Sequence, residues 1–191
     1  TMIFNFGLHN IKIIFKIEAH PLTGGAVDNL VLIITLIFAV SLNANSDPND
    51  LDALKGLEGK WSGTLERTNG TSDDFKLEYK ITSNGSALLE ESLTGEVEML
   101  TIFNFQNNEL LLTHYCALQN KPVSVLETNS NGKYTFKTDF ERSGLTTKKD
   151  TFVTSWKIDL MPSDKNKMYY EYTVSGPEGE VFTATAVMNR I

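Results

Sequence analysis

From Lys60 to the C-terminus, apolar and polar residues alternate with period two. Trp61, Gly63 and Leu65 are set against Ser62, Thr64 and Glu66. Phe75, Leu77, Tyr79 and Ile81 are set against Lys76, Glu78 and Lys80. Such alternation marks strands with one buried and one solvated face. The same reading gives strands from Ala87 to Leu93, Val97 to Phe105, through Leu110–Cys116, and from Val123 to Glu127. Further strands carry Tyr134-Phe136-Thr138-Phe140, Phe152-Thr154-Trp156-Ile158-Leu160 and Met168-Tyr170-Tyr172-Val174, and the last runs from Val181 to Ile191. Turn residues separate them at Asn84-Gly85, Asn107-Asn108, Asn131-Gly132 and Gly176–Gly179. The pattern predicts an all-β fold of about ten strands with no amphipathic helix among them. A single antiparallel up-and-down β-barrel fits it best, because closure removes exposed edges. A sandwich is the other arrangement compatible with the spacing.

Two segments before Lys60 differ in period. Residues 47–57 repeat Leu51, Leu54 and Leu57 at helical spacing, with Asp47 as cap and Pro48 in the first turn. They predict one short helix ahead of the barrel. Residues 30–42 form an apolar run without a charge, too short for a comfortable membrane span but suited to the core of a secretory signal. Ala44-Asn45-Ser46 follows with small residues at signal-peptidase spacing, although Asp28 and no Lys or Arg precedes the run where a signal carries positive charge. The chain therefore reads as an N-terminal extension with a signal peptide (1–46) and a barrel domain (47–191). The expected location is secreted or periplasmic, with no stable membrane span once the signal is removed.

Charge and cysteine content narrow the function classes. The formal net charge is −7, and all of it lies after Ser46, since Lys12 and Lys16 balance Glu18 and Asp28. An acidic domain without a basic stripe is not built for nucleic acid. A single cysteine excludes an internal disulfide framework and any multi-cysteine zinc site. No Gly-rich phosphate loop, Gly-x-Ser-x-Gly elbow or His-Glu-x-x-His motif is present. No catalytic residue, metal ligand or cofactor is assigned from the sequence.

The uncommon chemistry lies in Leu110–Cys116, which holds the only cysteine and the only histidine after position 20. Alternation puts Leu110, Leu112, His114 and Cys116 on one face, expected inside. The other inward faces carry Trp61, Phe75, Tyr79, Tyr134, Phe136, Phe152, Trp156, Tyr170 and Tyr172. A ten-stranded barrel with such walls leaves room for a small ligand. His114 suits a polar anchor, a metal ligand or a general base, and equally a hydrogen-bonded core residue. Cys116 reads mainly as packing. The tyrosines Tyr79, Tyr170 and Tyr172 offer hydroxyls to a ligand or fill the core. In the acidic pair Glu90-Glu91, alternation with Ala87, Leu89 and Leu93 turns Glu91 inward, where Arg67 is placed to meet it.

The short helix followed by Gly59-Lys60-Trp61 at the head of the strands is similar to the lipocalin-like, or calycin, pattern. Trp61-Ser62-Gly63 resembles the start of nitrobindin-like ten-stranded barrels. Gly85-Ser86-Ala87, Met99 to Phe105, Thr113-His114-Tyr115-Cys116 and Asn120-Lys121-Pro122 resemble an uncharacterised bacterial lipocalin-like domain, over roughly Leu54 to Ile191. The resemblance implies a barrel and frequent export. The haem-binding histidine of nitrobindin-like barrels comes late in the domain. This chain has none after His114, so that ligand is not carried over.

Together these readings predict an exported lipocalin-like barrel that binds a small apolar or amphipathic molecule in an aromatic interior. The expected binding residues are His114, Cys116, Trp156, Tyr170, Tyr172, Tyr79 and Glu91. One alternative is a pocket enzyme, isomerase- or cyclase-like, with His114 and Glu91 as acid and base. The other is a packed structural barrel without ligand.

Overall fold

The structure is a computed structural model that describes residues 2–5, 12–15 and 46–191. The chain divides into two compact units, Thr1–Ala44 and Asn45–Ile191. In the first, β1 (Met2–Asn5) and β2 (Lys12–Phe15) form an antiparallel pair with Met2 opposite Phe15. The apolar run 30–42 and the signal peptide read from it lie outside the described residues.

The second unit opens with helix α1 (Pro48–Lys55). The Asp47 carboxylate accepts from the Asn49 N–H at 2.9 Å, and Asp50 reaches back to the Asp47 N–H at 3.0 Å. This reciprocal cap satisfies donors that the first helical turn leaves free. Ten strands follow: β3 (Gly59–Arg67), β4 (Ser72–Thr82), β5 (Ala87–Thr94), β6 (Val97–Gln106), β7 (Glu109–Tyr115), β8 (Val123–Ser130), β9 (Lys133–Thr138), β10 (Phe152–Asp159), β11 (Lys167–Gly176) and β12 (Gly179–Arg190). Each pairs antiparallel with the next in sequence, and β12 pairs with β3, so the sheet closes into an up-and-down barrel. Among the described residues no helix is long and apolar enough to cross a membrane.

Antiparallel alternation gives the barrel two distinct ends. At one end are the start of β3, the 82–87, 106–109 and 130–133 turns, and the C-terminus. Helix α1 lies across this end, touching β4 to β7, with Leu51, Leu54 and Leu57 buried. The Trp61 Nε1–H donates to the Leu57 carbonyl at 2.8 Å, and Asn129 donates to Asp50 at 2.6 Å. The Arg190 guanidinium stacks 4.2 Å from the Trp61 ring centroid and donates to the Gly56 and Glu58 carbonyls. Beneath the helix the barrel is packed solid with Leu54, Leu88, Phe103, Leu110, Leu112 and Phe136, all at 0% exposure. At the other end the turns after β3, β5, β7, β9 and β11 form a rim.

The inward faces follow the predicted alternation except at two places. In β5 the phase is opposite to expectation: Leu88, Glu90 and Ser92 are buried, and Glu91 is exposed. The cause is register. The four-residue turn after β4 sets Thr82 opposite Ala87, which puts Glu90 opposite Tyr79. Directly opposed residues share a face, so an inward Tyr79 brings Glu90 inward and sends Glu91 out. In β10 the register shifts between Val153 and Ser155. This bulge inserts one residue and turns Val153, not Phe152, toward the interior. Phe152 instead packs under Phe140, with ring centroids 5.4 Å apart. Phe140 itself is not in β9. It begins a one-turn helix, α2 (Phe140–Ser143), capped by Asp139.

Candidate functional site

Four adjacent strands carry the central row of the interior. Tyr79 on β4 lies opposite Glu90 on β5, Glu90 opposite Thr101 on β6, and Thr101 opposite His114 on β7. All four side chains are at 3% exposure or less. The Tyr79 hydroxyl donates to Glu90 Oε2 at 2.5 Å, and Tyr170, from across the barrel on β11, donates to Oε1 at 3.0 Å. Thr101 lies directly opposite Glu90 on the neighbouring strand. Its hydroxyl also lies 3.0 Å from His114 Nδ1. A buried carboxylate is costly unless its oxygens are partnered, and here each oxygen accepts from one tyrosine hydroxyl. Burial still dominates and pushes the Glu90 pKa up, while those hydrogen bonds pull it back. The Tyr79 and Tyr170 hydroxyls are driven well above the ordinary phenol range, by burial first and then by the Glu90 charge.

Above this row lies a cavity of about 580 Å³ at the rim end, opposite α1. Its inner wall is formed by Ser92, His114, Trp156, Tyr170 and Tyr172. The aromatic rings form a continuous cluster. Trp156 sits edge-on to His114 at 4.9 Å between centroids, and it is 6.1 Å from Tyr170 and 5.4 Å from Tyr172. Burial lowers the His114 pKa from 6.5 to about 4, so the ring is neutral at physiological pH. At the rim, Val97, Leu118 and Val181 line the cavity and are about half exposed, at 47%, 49% and 51%. Arg67, the one cationic residue of the lining, is held by Asp73 at 2.7 Å and lies over the Phe182 ring.

The expected binding residues fall into three groups. His114, Cys116, Trp156, Tyr170 and Tyr172 all line the cavity. Tyr79 is fully buried but lies behind the cavity wall, bonded to Glu90. Glu91 is on the outside of the barrel, 2.6 Å from Lys80. It therefore cannot meet Arg67 or form an acid–base pair with His114 inside. Cys116 follows the end of β7 and is half-buried. Burial raises its thiol pKa, and its backbone N–H donates to the Asn120 carbonyl in register with the β7–β8 pairing. Sequence reasoning missed Glu90, Thr101, Ser92 and Val153. The length of the β4–β5 turn, counted from an inward Tyr79, is the signal that finds Glu90 and Ser92, and the two-residue turn at Gly95-Glu96 then sets Thr101 opposite Glu90.

A depression of about 660 Å³ lies on the outer wall, bordered by Lys60, Lys76, Glu78 and Glu91. Of its charged border, Lys60, Glu78 and Glu91 are tied up in the solvated Lys80–Glu78, Lys80–Glu91 and Lys60–Glu78 pairs. The interior cavity, with its apolar walls and few buried polar groups, is the better candidate for a small-molecule site. Among the described residues no group of three or more His, Cys, Asp or Glu side chains is arranged to hold a metal ion.

Neither a family model nor a curated protein matches the chain. Among solved structures it is similar to a protein of unknown function of the DUF3598 family from Nostoc punctiforme PCC 73102, with a TM-score of 0.54 at 12% identity. That match covers 72% of this chain and 48% of the other, so the chain spans about half the length of the protein it resembles. The likeness concerns the fold alone. A looser similarity, with a TM-score of 0.37 at 10% identity, links it to EF1p2_mFAP2b bound to DFHBI, over 74% of this chain and 98% of that one.

Proposed function

We propose that this barrel is a binding protein for a small apolar or amphipathic molecule, which enters at the rim and is buried against the Trp156–Tyr170–Tyr172 cluster. The observation that carries this reading is the aromatic-walled cavity of about 580 Å³ in a barrel that is packed solid beneath α1. Small-molecule sites commonly have volumes of roughly 300–1,000 Å³ with mainly apolar walls and a few polar groups. The half-exposed Val97, Leu118 and Val181 give the entrance an apolar lip. A fully packed structural barrel would leave no such volume. His114 supplies the polar group for the ligand's inner end. Native mass spectrometry of the purified protein tests the reading. A co-purifying mass of a few hundred daltons, lost on mild activation, supports it. A bare protein that also fails to bind the neutral dye Nile red contradicts it.

We also propose that the barrel domain is exported, to the periplasm or the outside of the cell, after cleavage near Ser46. The support is the apolar run 30–42 followed by Ala44-Asn45-Ser46. Expression in a bacterial host and N-terminal sequencing of the secreted product test it. Retention of residues 30–42 in the mature protein counts against cleavage.

A further inference from the structure

The polar groups around the cavity are not evenly satisfied. Among the described residues, three buried side-chain atoms have no hydrogen-bond partner: Thr94 Oγ1, Asn120 Oδ1 and Trp156 Nε1. Thr94 and Trp156 line the cavity, and Asn120 donates through its amide nitrogen to the carbonyl of Thr151, which lines it too. Buried polar groups are nearly always paired in folded proteins, so orphans gathered at one cavity mark where a partner belongs. Trp156 is 2% exposed, and an indole N–H can only donate.

His114, edge-on to Trp156, completes the inner end. Its Nδ1 faces Thr101, and among the described residues Nε2 has no hydrogen-bond partner. The Glu90 carboxylate accepts from the Tyr79 and Tyr170 hydroxyls. In the tautomer with its hydrogen on Nδ1, the His114 ring donates to the Thr101 oxygen and leaves Nε2 as an acceptor. The two rings, with centroids 4.9 Å apart, thus bring one unpartnered donor, the indole N–H, and one acceptor, the imidazole nitrogen, to the same wall of the cavity.

Charge around the cavity argues against an ionised head group. Arg67 is neutralised by Asp73, Glu96 adds a further negative charge at the rim, and Glu90 lies beneath the inner wall. Among the described lining residues no unpaired cation is available to hold a carboxylate. A cationic head fares no better, because the indole N–H would face it and the Glu90 oxygens are already bonded.

We propose that the ligand carries a neutral head group that both accepts and donates hydrogen bonds, such as a carboxamide or lactam, with its carbonyl on Trp156 Nε1–H and its N–H on His114 Nε2. The apolar remainder extends past Tyr172 toward Val97 and Val181. This rests on the binding reading given above and adds the class of ligand to it.

Titration calorimetry at pH 7.5 with three probes of one chain length tests it: decanamide, decanoate and decylamine. Nile red binding serves as the control for the cavity itself. Decanamide is expected to bind at least tenfold tighter than either charged probe. His114→Leu and Trp156→Phe should each shrink that preference to within about threefold, with saturable Nile red binding to each variant showing that its cavity is still open. Decanoate or decylamine binding as tightly as decanamide overturns the proposal and leaves the binding reading intact. So does an amide preference that survives both substitutions, or Nile red binding without any decanamide binding. Failure of all four probes overturns the binding reading and this proposal together.

Discussion

The carboxylates of Glu90 and Glu91 lie on opposite sides of the barrel wall, Glu90 inside on the Tyr79 and Tyr170 hydroxyls and Glu91 outside on Lys80. The two neighbours therefore differ sharply in what their loss should do. Glu90→Ala leaves two buried phenol hydroxyls without an acceptor and should cost about 2–5 kcal/mol. Glu91→Ala breaks a solvent-exposed pair and should change stability by less than about 1 kcal/mol. Urea unfolding of the two variants checks the difference. A large loss for Glu91→Ala with a small one for Glu90→Ala would mean that β5 has the opposite phase.

The same interior makes stability depend on pH in two opposing ways. His114 has a folded pKa of about 4, below its unfolded value of 6.5. As pH falls, the unfolded chain takes up the proton first, so stability is full above 6.5 and is lost down to about 4. The loss amounts to about 3 kcal/mol. Glu90 works the other way. Its folded pKa is raised above 4.5, so the contribution of its protonated form is full below 4.5 and is lost as pH rises through the folded value. Between pH 4.5 and 6.5 the two effects oppose each other. Glu90→Gln should therefore lose stability more steeply on acidification than the wild type, and His114→Leu less steeply. Unfolding curves at pH 4.5, 5.5, 6.5 and 7.5 check this, and equal slopes for all three proteins would contradict it.

Most of the fold could be read from the sequence because the strands are long, alternate cleanly and are separated by turn residues. The ten strands, the helix capped by Asp47 and Pro48, and the inward Leu110, Leu112 and His114 all follow from local pattern. What local pattern could not supply was the phase of β5. Counting apolar residues favours Ala87, Leu89 and Leu93 as the inner face, yet register to β4 decides the matter, because Glu90 finds its hydroxyl donors on two other strands. The bulge in β10 was hidden for a similar reason. Phe152-Thr154-Trp156 looks like plain alternation, and only the pairing with β11 reveals the inserted residue. Of the candidate site, the aromatic wall was accessible from the sequence. The Glu90–Thr101–His114 chain was not, since it runs across strands.

The α1 end should behave as a structural cap. Leu54 is fully buried between the helix and the barrel, so Leu54→Ala should cost about 2–5 kcal/mol. Asp47→Ala removes the helix cap and should cost about 1 kcal/mol. Neither residue borders the cavity, so the affinity of the folded protein for Nile red should stay within about twofold of wild type. Thermal unfolding and dye titration on each variant check both halves of the expectation.

Phe152 and Val153 separate packing from binding within one dipeptide. Phe152, fully buried under Phe140, faces away from the interior, and Phe152→Ala should lose about 3–5 kcal/mol with little change in dye affinity. Val153 lines the cavity, so a larger side chain there should fill it.

Nile red titration of Val153→Trp beside the wild type therefore tests the central claim most directly. An indole at that position extends into the cavity without removing His114, Trp156 or any part of the Glu90 network. The account predicts saturable binding to the wild type and a loss of at least tenfold in Val153→Trp, with the unfolding midpoint of the variant close to wild type. Equal affinity in a folded Val153→Trp would place the dye outside the barrel and contradict the account.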